Sequence, residues 1–371
     1  MSRPTGLRQH ASSAPSAPPP GGELDEIDEL TLASAGDGEA TVAASARRST
    51  RTLALTYVVT VFVLITLNFF LPRALPGDPI DSLIDPGGPS YVSNAEIRAE
   101  LEEYYGLDRP VGEQYADYLG DLARGDLGVS IRYNVGIGEL VQERLPWTIL
   151  LITSSMLLAA VVGWSAGVHS GWRRGRPVDS GLLGVFTALR SFPVFFLGSI
   201  ALFVLAVQFD LLPLSGARTL YAPDMGALER AGDIAYHLAL PAAVLATQFA
   251  GGQYMTMRAG IVGELGADYL VGARAKGLRE RRLKYRYAGR NALLPVVTVT
   301  ALQLGGFLTS AVLVETVFSY PGMGRLVFDA ISFRDYPALQ GCFLVLSLFV
   351  VTLNFLMELL YHRLDPRTTD R

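Results

Sequence analysis

The chain has 371 residues, 50% of them hydrophobic and 18% charged, with a formal net charge of −4. Soluble domains carry about 25% charged residues, and several apolar runs here reach the roughly 20 residues that cross a bilayer. This excludes an ordinary soluble enzyme or a nucleic-acid-binding protein and points to a multi-pass protein of the cell membrane, with the lipid bilayer as its first partner.

Residues 1–50 are rich in Ala, Ser, Pro and Gly around an acidic stretch, ELDEIDEL. Such a segment buries too little apolar surface to offset its ordering entropy, so a disordered cytoplasmic tail is expected. The first transmembrane helix is expected at 52–71. It exceeds the roughly 7–15-residue core of a signal peptide and runs into PRALPGDP, not a small-residue cleavage site. Residues 72–146 carry fourteen acids against six bases and are expected outside the cytoplasm. SNAEIRAELEEYYGL within them reads as a helix capped at Ser93 or Asn94.

The membrane core is expected over 147–361, with spans at about 147–168, 182–208, 237–257, 293–317 and 341–361. Pro241, Gln248, Gly251, Gly252 and Gln253 make the fourth span of the chain the most polar, which suits a helix packed on protein or lining water. Gly305-Gly306 in the fifth is expected to permit close helix approach. Between the fourth and fifth lies a basic loop, 258–292, in which nine Lys/Arg stand against Glu264, Asp268 and Glu280. Residues 362–371 form a short basic terminus. Short segments assigned to the inside carry 18 Lys/Arg and those outside carry 10. The positive-inside bias then gives an all-α protein of about six transmembrane helices with both termini cytoplasmic.

Little chemistry is available within the chain. Its four histidines, His10, His169, His237 and His362, are far apart, and no HExxH or Cys/His spacing suggests a metal site. The lone Cys342 excludes an intrachain disulfide. No GxSxG occurs. Neither of the two lysines, Lys276 and Lys284, follows a glycine, so the chain has no P-loop for ATP. No catalytic, cofactor-binding or metal residue is expected; a pump of this design takes its energy from another subunit or from an ion gradient.

The basic loop carries the sequence ARAKGL followed by RNALLP, and QLGGFLTSAVLVETVFSYPGMGRL and RDYPALQG come after it. On the other side of the core stand LPGDPIDSLI, YGLDRPVGEQYADYLGDLARGDLGVS and GELVQERLPWT. In these motifs the chain, from about 52 to 367, resembles the peptide-type (dipeptide, oligopeptide, nickel) permeases of binding-protein-dependent ABC importers. The resemblance implies a type I importer permease fold and a non-catalytic subunit. The implied partners are a second homologous permease, two ABC ATPases that bind ATP and Mg, and an extracytoplasmic substrate-binding protein. It also implies that the loop docks the ATPases through Asp268, Tyr269, Ala273, Arg274, Ala275, Lys276, Gly277, Leu278, Arg290, Asn291 and Pro295. A short helix ended by Gly277 in the left-handed conformation suits such a contact, and Asp268 favours its start through the helix dipole. Val271 stands where the general importer pattern has Glu, a departure shared with the peptide-type branch. Charge alone favours a plainer reading, a positive-inside loop held by anionic lipid; the ordered motifs favour the coupling loop.

A second set of candidates lies in the spans: Arg190, Gln248, Gln303, Glu315 and Glu358 as residues of the path or its gate. Arg190 either reaches the inner interface, pairs with Glu358, or serves substrate passage; ionisable groups at depth are costly without such a role. Glu315 and Asp329 are either part of an outer gate or solvated helix caps. The competing class of function is a self-sufficient secondary transporter or channel, but no half-to-half symmetry is visible.

Overall fold

A computed structural model describes residues 50–74, 109–219, 225–333 and 335–364. Its contacts define two units. Ala54–Asp365 is one, and the other, Met1–Leu53 with Pro366–Arg371, contributes only the first turn of one helix to the described residues. The tail before Thr50, the helix expected over 93–107 and the residues after Leu364 lie outside them. The described residues are helical, apart from connecting turns and one isolated bridge between Val129 and Gly136.

Helix α1 spans Thr50–Ala74 and exposes Leu55, Val58, Phe62 and Leu67, as a helix apolar all round does when lipid is its solvent. Helix α2, Val111–Ala123, turns its tyrosines to α1: Tyr115 bonds Thr66 at 2.8 Å and Asn68 donates to Tyr118 at 3.2 Å. Helix α3 runs from Ile137 to Trp172, so it begins well before the expected 147. Pro146 removes one backbone donor. The turn before it is held nonetheless, because Ile137, Leu140 and Val141 are buried against Met323, Leu326, Ala338 and Cys342.

The third expected span is not one continuous helix. Helix α4, Pro177–Ser191, and α5, Val194–Ala201 continuing as π-helical Leu202–Gln208, meet at 101°. Pro193 causes the break: it lacks an N–H, and it pushes Phe192 out of the helical region to φ −86°, ψ 137°. The carbonyl of Phe192 is satisfied instead by Gln248 Nε2 at 3.0 Å. Irregular backbone at membrane depth requires such a partner.

Helix α6, Ala227–Glu264, begins where Gly226 N–H donates to Glu229 Oε2 at 3.1 Å. After α7 (Asp268–Ala275) and a π-helical segment (Leu283–Ala288), the expected fifth span is again interrupted. It consists of α8, Leu293–Leu302, and α9, Leu304–Val317, parted at Gln303 just ahead of two glycines, the residues that favour helix least after proline. Helices α10, Met323–Ser332, and α11, Tyr336–Leu364, complete the described elements. By length and composition α1, α3, α6 and α11 are long and apolar enough to cross a membrane, and α4–α5 makes a fifth if the bent pair counts as one. Residues 305–317 of α9 are apolar but shorter.

The core is built on α3 against α6. Gly163, Gly167 and Gly171 recur every four residues and so share one face of α3. A methyl group there would come within 2.9 Å of Ala250 O, 2.7 Å of Met257 Cβ and 2.8 Å of Ile261 Cβ respectively. Small residues at this spacing bring two backbones into direct contact, which is how helices pack where lipid removes the hydrophobic drive. Gly305 and Gly306 do not play the part expected of them. Among the described residues nothing lies within 4 Å of the first, and only Phe249, at 3.6 Å, meets the second.

Candidate coupling site

Helix α7 is short because both of its ends are sealed. Ala267 is extended, at φ −69°, ψ 136°, and Asp268 follows in the first turn. At the other end Gly277 has φ +73°. There Gly277 N–H bonds Arg274 O at 2.9 Å and Leu278 N–H reaches Ala273 O at 3.3 Å. These two bonds make a Schellman turn, and only glycine adopts its left-handed residue without strain.

One side of α7 is seated on its own chain. Leu270 and Ala273 are buried against Met257 and Ile261 of α6 and against Leu283, Ala288 and Ala292. Asp268, Tyr269, Val271, Arg274, Ala275, Lys276 and Gly277 are exposed, and Leu278 is half-buried. Ala273 is therefore a packing residue turned inward, whereas Ala275 presents a small side chain outward. Arg290, Asn291 and Pro295 are also exposed. The Tyr269 hydroxyl donates to Glu264 and lies beside Asn291; desolvation first, then the Glu264 carboxylate, pushes this phenol up to about 12.

Three contacts tie the loop to the end of α3. Arg274 pairs with Glu280 at 3.1 Å and lies 5.5 Å over the Trp172 ring. Lys284 Nζ meets His169 Nδ1 at 2.9 Å, and Tyr285 packs edge-on to Trp164. Burial, with the Arg173 charge adding to it, lowers the Lys284 pKa below the usual lysine value.

A second network braces the same region. Asp179, at the start of α4, takes both Arg258 Nε at 2.7 Å and a terminal Arg258 nitrogen at 2.8 Å. It also accepts from Ser170 and from Gly175 N–H at 3.0 Å, and Ser170 bonds Tyr254 at 2.7 Å. Helices α3, α4 and α6 are thus joined beneath α7. Sequence reasoning missed both this network and the glycine stripe. The stripe was readable as three glycines four residues apart, whereas Asp179 is a lone acid in a basic turn and carries no such signal.

The residues expected in the path are scattered. Arg190 is exposed at the end of α4, with its side chain beside Gly251. Gln248 serves the α4–α5 break. Gln303 lies at the α8–α9 break, where its amide nitrogen crowds Gly252 and its buried Oε1 has no partner among the described residues. The side chain of Glu358 lies outside the described residues, so its pairing with Arg190 is not described. Glu315 is fully buried, which overturns the solvated-cap reading. It accepts from Thr148 Oγ1 at 2.7 Å and Arg325 N–H at 3.1 Å, while Met323 N–H donates to Thr148 at 2.7 Å. A methyl group on Gly322 would fall 2.3 Å from the Glu315 carboxylate, so PGMGR wraps around it. Asp329 accepts from Tyr133 at 3.2 Å.

Residues 142–370 match the family model for the binding-protein-dependent transport system inner membrane component. The chain belongs to that family. It is similar to the di/tripeptide transport system permease protein DppB of Pseudomonas aeruginosa, 36% identical over 326 residues that cover 84% of this chain and 95% of the relative. The oligopeptide transport system permease protein AppB of Bacillus subtilis is 36% identical over 302 residues, 81% and 92% of the two chains. The dipeptide transport system permease protein DppB of Escherichia coli is 34% identical over 331 residues, 84% and 95%. The protein is therefore a membrane permease component of a binding-protein-dependent transport system, of the peptide type, and the secondary-transporter reading falls away.

Proposed function

We propose that this permease forms half of the translocation path of an ATP-driven importer for short peptides or similar small solutes. It pairs with a second homologous permease, takes substrate from an extracytoplasmic binding protein, and is moved by two ATPases that hold the ATP and Mg. The chain itself is non-catalytic. Its six spans are α1, α3, the α4–α5 pair, α6, the α8–α9 pair and α11, with both termini cytoplasmic. Residues 1–50 form the cytoplasmic tail, 72–146 the outer segment, 258–292 the coupling loop and 362–371 the C-terminus. The names of the relatives support peptides as the solute class.

The observation that carries the mechanism is the two-sided α7. Its inner side is fixed to α6 through Leu270 and Ala273, and its outer side is free. An ATPase that grips Ala275, Lys276 and the Gly277 turn moves α6, and through the glycine contacts it moves α3 with it. Packed interfaces pass on such shifts because they deform in discrete steps.

The test is purification of the tagged chain from its native membrane, with and without Ala275→Asp. Gly277 is the poorer target, since its φ of +73° makes any side chain there a backbone perturbation. The expected result is two ATPases and a second permease with the wild type, and ATPases lost from a variant whose thermal unfolding is unchanged. A chain recovered alone that moves solute in vesicles without ATP refutes the proposal.

A further inference from the structure

Beyond α7 the loop carries a groove that the coupling role leaves unused. Arg279, Arg281, Arg282, Tyr285 and Arg286 line an open cavity of about 430 Å³. All four guanidinium groups are exposed, and among the described residues none of the four forms an ion pair. Glu280, the acid within this run, is taken by Arg274, and Glu264 by Tyr269. Four like charges converge on one space, and among the described residues no carboxylate pairs with them. Such a cluster attracts an anion. Arginine forks bind phosphate with two parallel hydrogen bonds, a geometry lysine does not offer.

The depth of the groove separates its possible occupants. Its wall residue Tyr285 packs on Trp164, which stands two turns inside α3 from its Trp172 end. Lys284 is buried against His169, and Gly289 lies beside Val168. The π-helical segment therefore runs alongside the apolar length of α3, not beyond its end. A Trp–Tyr pair at such a level marks the membrane interface. Basic pockets at that level meet lipid phosphates, while a soluble subunit would meet the more exposed side of α7.

We propose that the groove of Arg279, Arg281, Arg282 and Arg286 binds the phosphate of an anionic phospholipid headgroup, with the Tyr285 hydroxyl beside it. The bound lipid neutralises the run between α7 and α8 and anchors the far end of the coupling loop, so that force on α7 is delivered to α6. The lipid site requires only that the chain is membrane-embedded; the anchoring role rests on the coupling function proposed above.

The test is native mass spectrometry of the full-length chain, exchanged into phosphatidylglycerol or phosphatidylcholine. The comparison is between wild type, Arg282→Gln/Arg286→Gln, and Arg174→Gln/Arg176→Gln, which removes equal charge from the α3–α4 turn. The expected result is at least tenfold preferential retention of phosphatidylglycerol by wild type and the control, and loss of that preference in Arg282→Gln/Arg286→Gln. Equal retention of the two lipids, or equal loss in the control, overturns the proposal. Displacement of the lipid by millimolar inorganic phosphate assigns the groove to a free anion and overturns it as well. So does unchanged lipid retention with loss of co-purifying ATPase, which would place the arginines on the ATPase.

Discussion

Arg258 holds Asp179 with two parallel hydrogen bonds, 2.7 and 2.8 Å long, across the junction of α6 and α4. The carboxylate is almost wholly enclosed and the guanidinium three-quarters so. Removing one member of an enclosed pair strands the other charge. Asp179→Ala is expected to cost about 3 kcal/mol, read as a lowered midpoint of thermal unfolding in detergent. Asp117→Ala, which breaks the exposed pair with Arg109, should cost less than about 1 kcal/mol. Equal effects would mean that Arg258 finds another partner.

The glycine stripe makes a second contrast. Gly167→Ala places a methyl group 2.7 Å from Met257 Cβ and 2.8 Å from Tyr254 O, so α3 and α6 must separate. Overpacking of this kind costs about 1–3 kcal/mol. Gly305→Ala meets nothing within 4 Å among the described residues and should be neutral or stabilising, since alanine favours a helix by up to about 1 kcal/mol. Both are measured by the same unfolding assay, and a destabilised Gly305→Ala with a neutral Gly167→Ala would contradict the packing described.

Glu315 is enclosed by its own chain, and three elements depend on it. Glu315→Ala leaves Thr148 and the Arg325 N–H without their acceptor and should cost about 2–3 kcal/mol, with a matching loss of transport. Glu315→Gln keeps an acceptor oxygen in place and should retain most of the stability. If the two variants unfold alike, the hydrogen bonds are not what holds PGMGR to α9.

Tyr269 gives a pH signature. Its phenol is raised to about 12 in the folded chain against 10.0 unperturbed, because partial desolvation of the hydroxyl and the Glu264 carboxylate both disfavour the phenolate. The folded state therefore holds this proton longer than the unfolded state. Its contribution to stability is complete below pH 10 and is lost as pH rises from 10 towards 12. The difference in ultraviolet titration between wild type and Tyr269→Phe should show one phenol ionising late. A difference curve centred near 10 would mean that the hydroxyl does not engage Glu264.

Composition and order alone determined much of this protein. Apolar runs, the acidic stretch after the first of them and the arginine-dense loop were enough to indicate a helical membrane chain, and ARAKGL with RNALLP pointed to its family. Gly277 was readable as a helix stop because a left-handed residue after a helix is a local, backbone-level requirement. The boundaries were less legible. Hydropathy averages over a span, so it did not register the 101° break at Pro193, the split at Gln303, or the early start of α3 at Ile137. Which side of a helix faces what depends on the neighbours that fold against it. Only the tertiary structure turned Ala273 inward and Ala275 outward, enclosed Glu315, and set Gly163, Gly167 and Gly171 on α6 while leaving Gly305 open. The pairing of Asp179 with Arg258 joins residues 79 positions apart, beyond the reach of any local pattern.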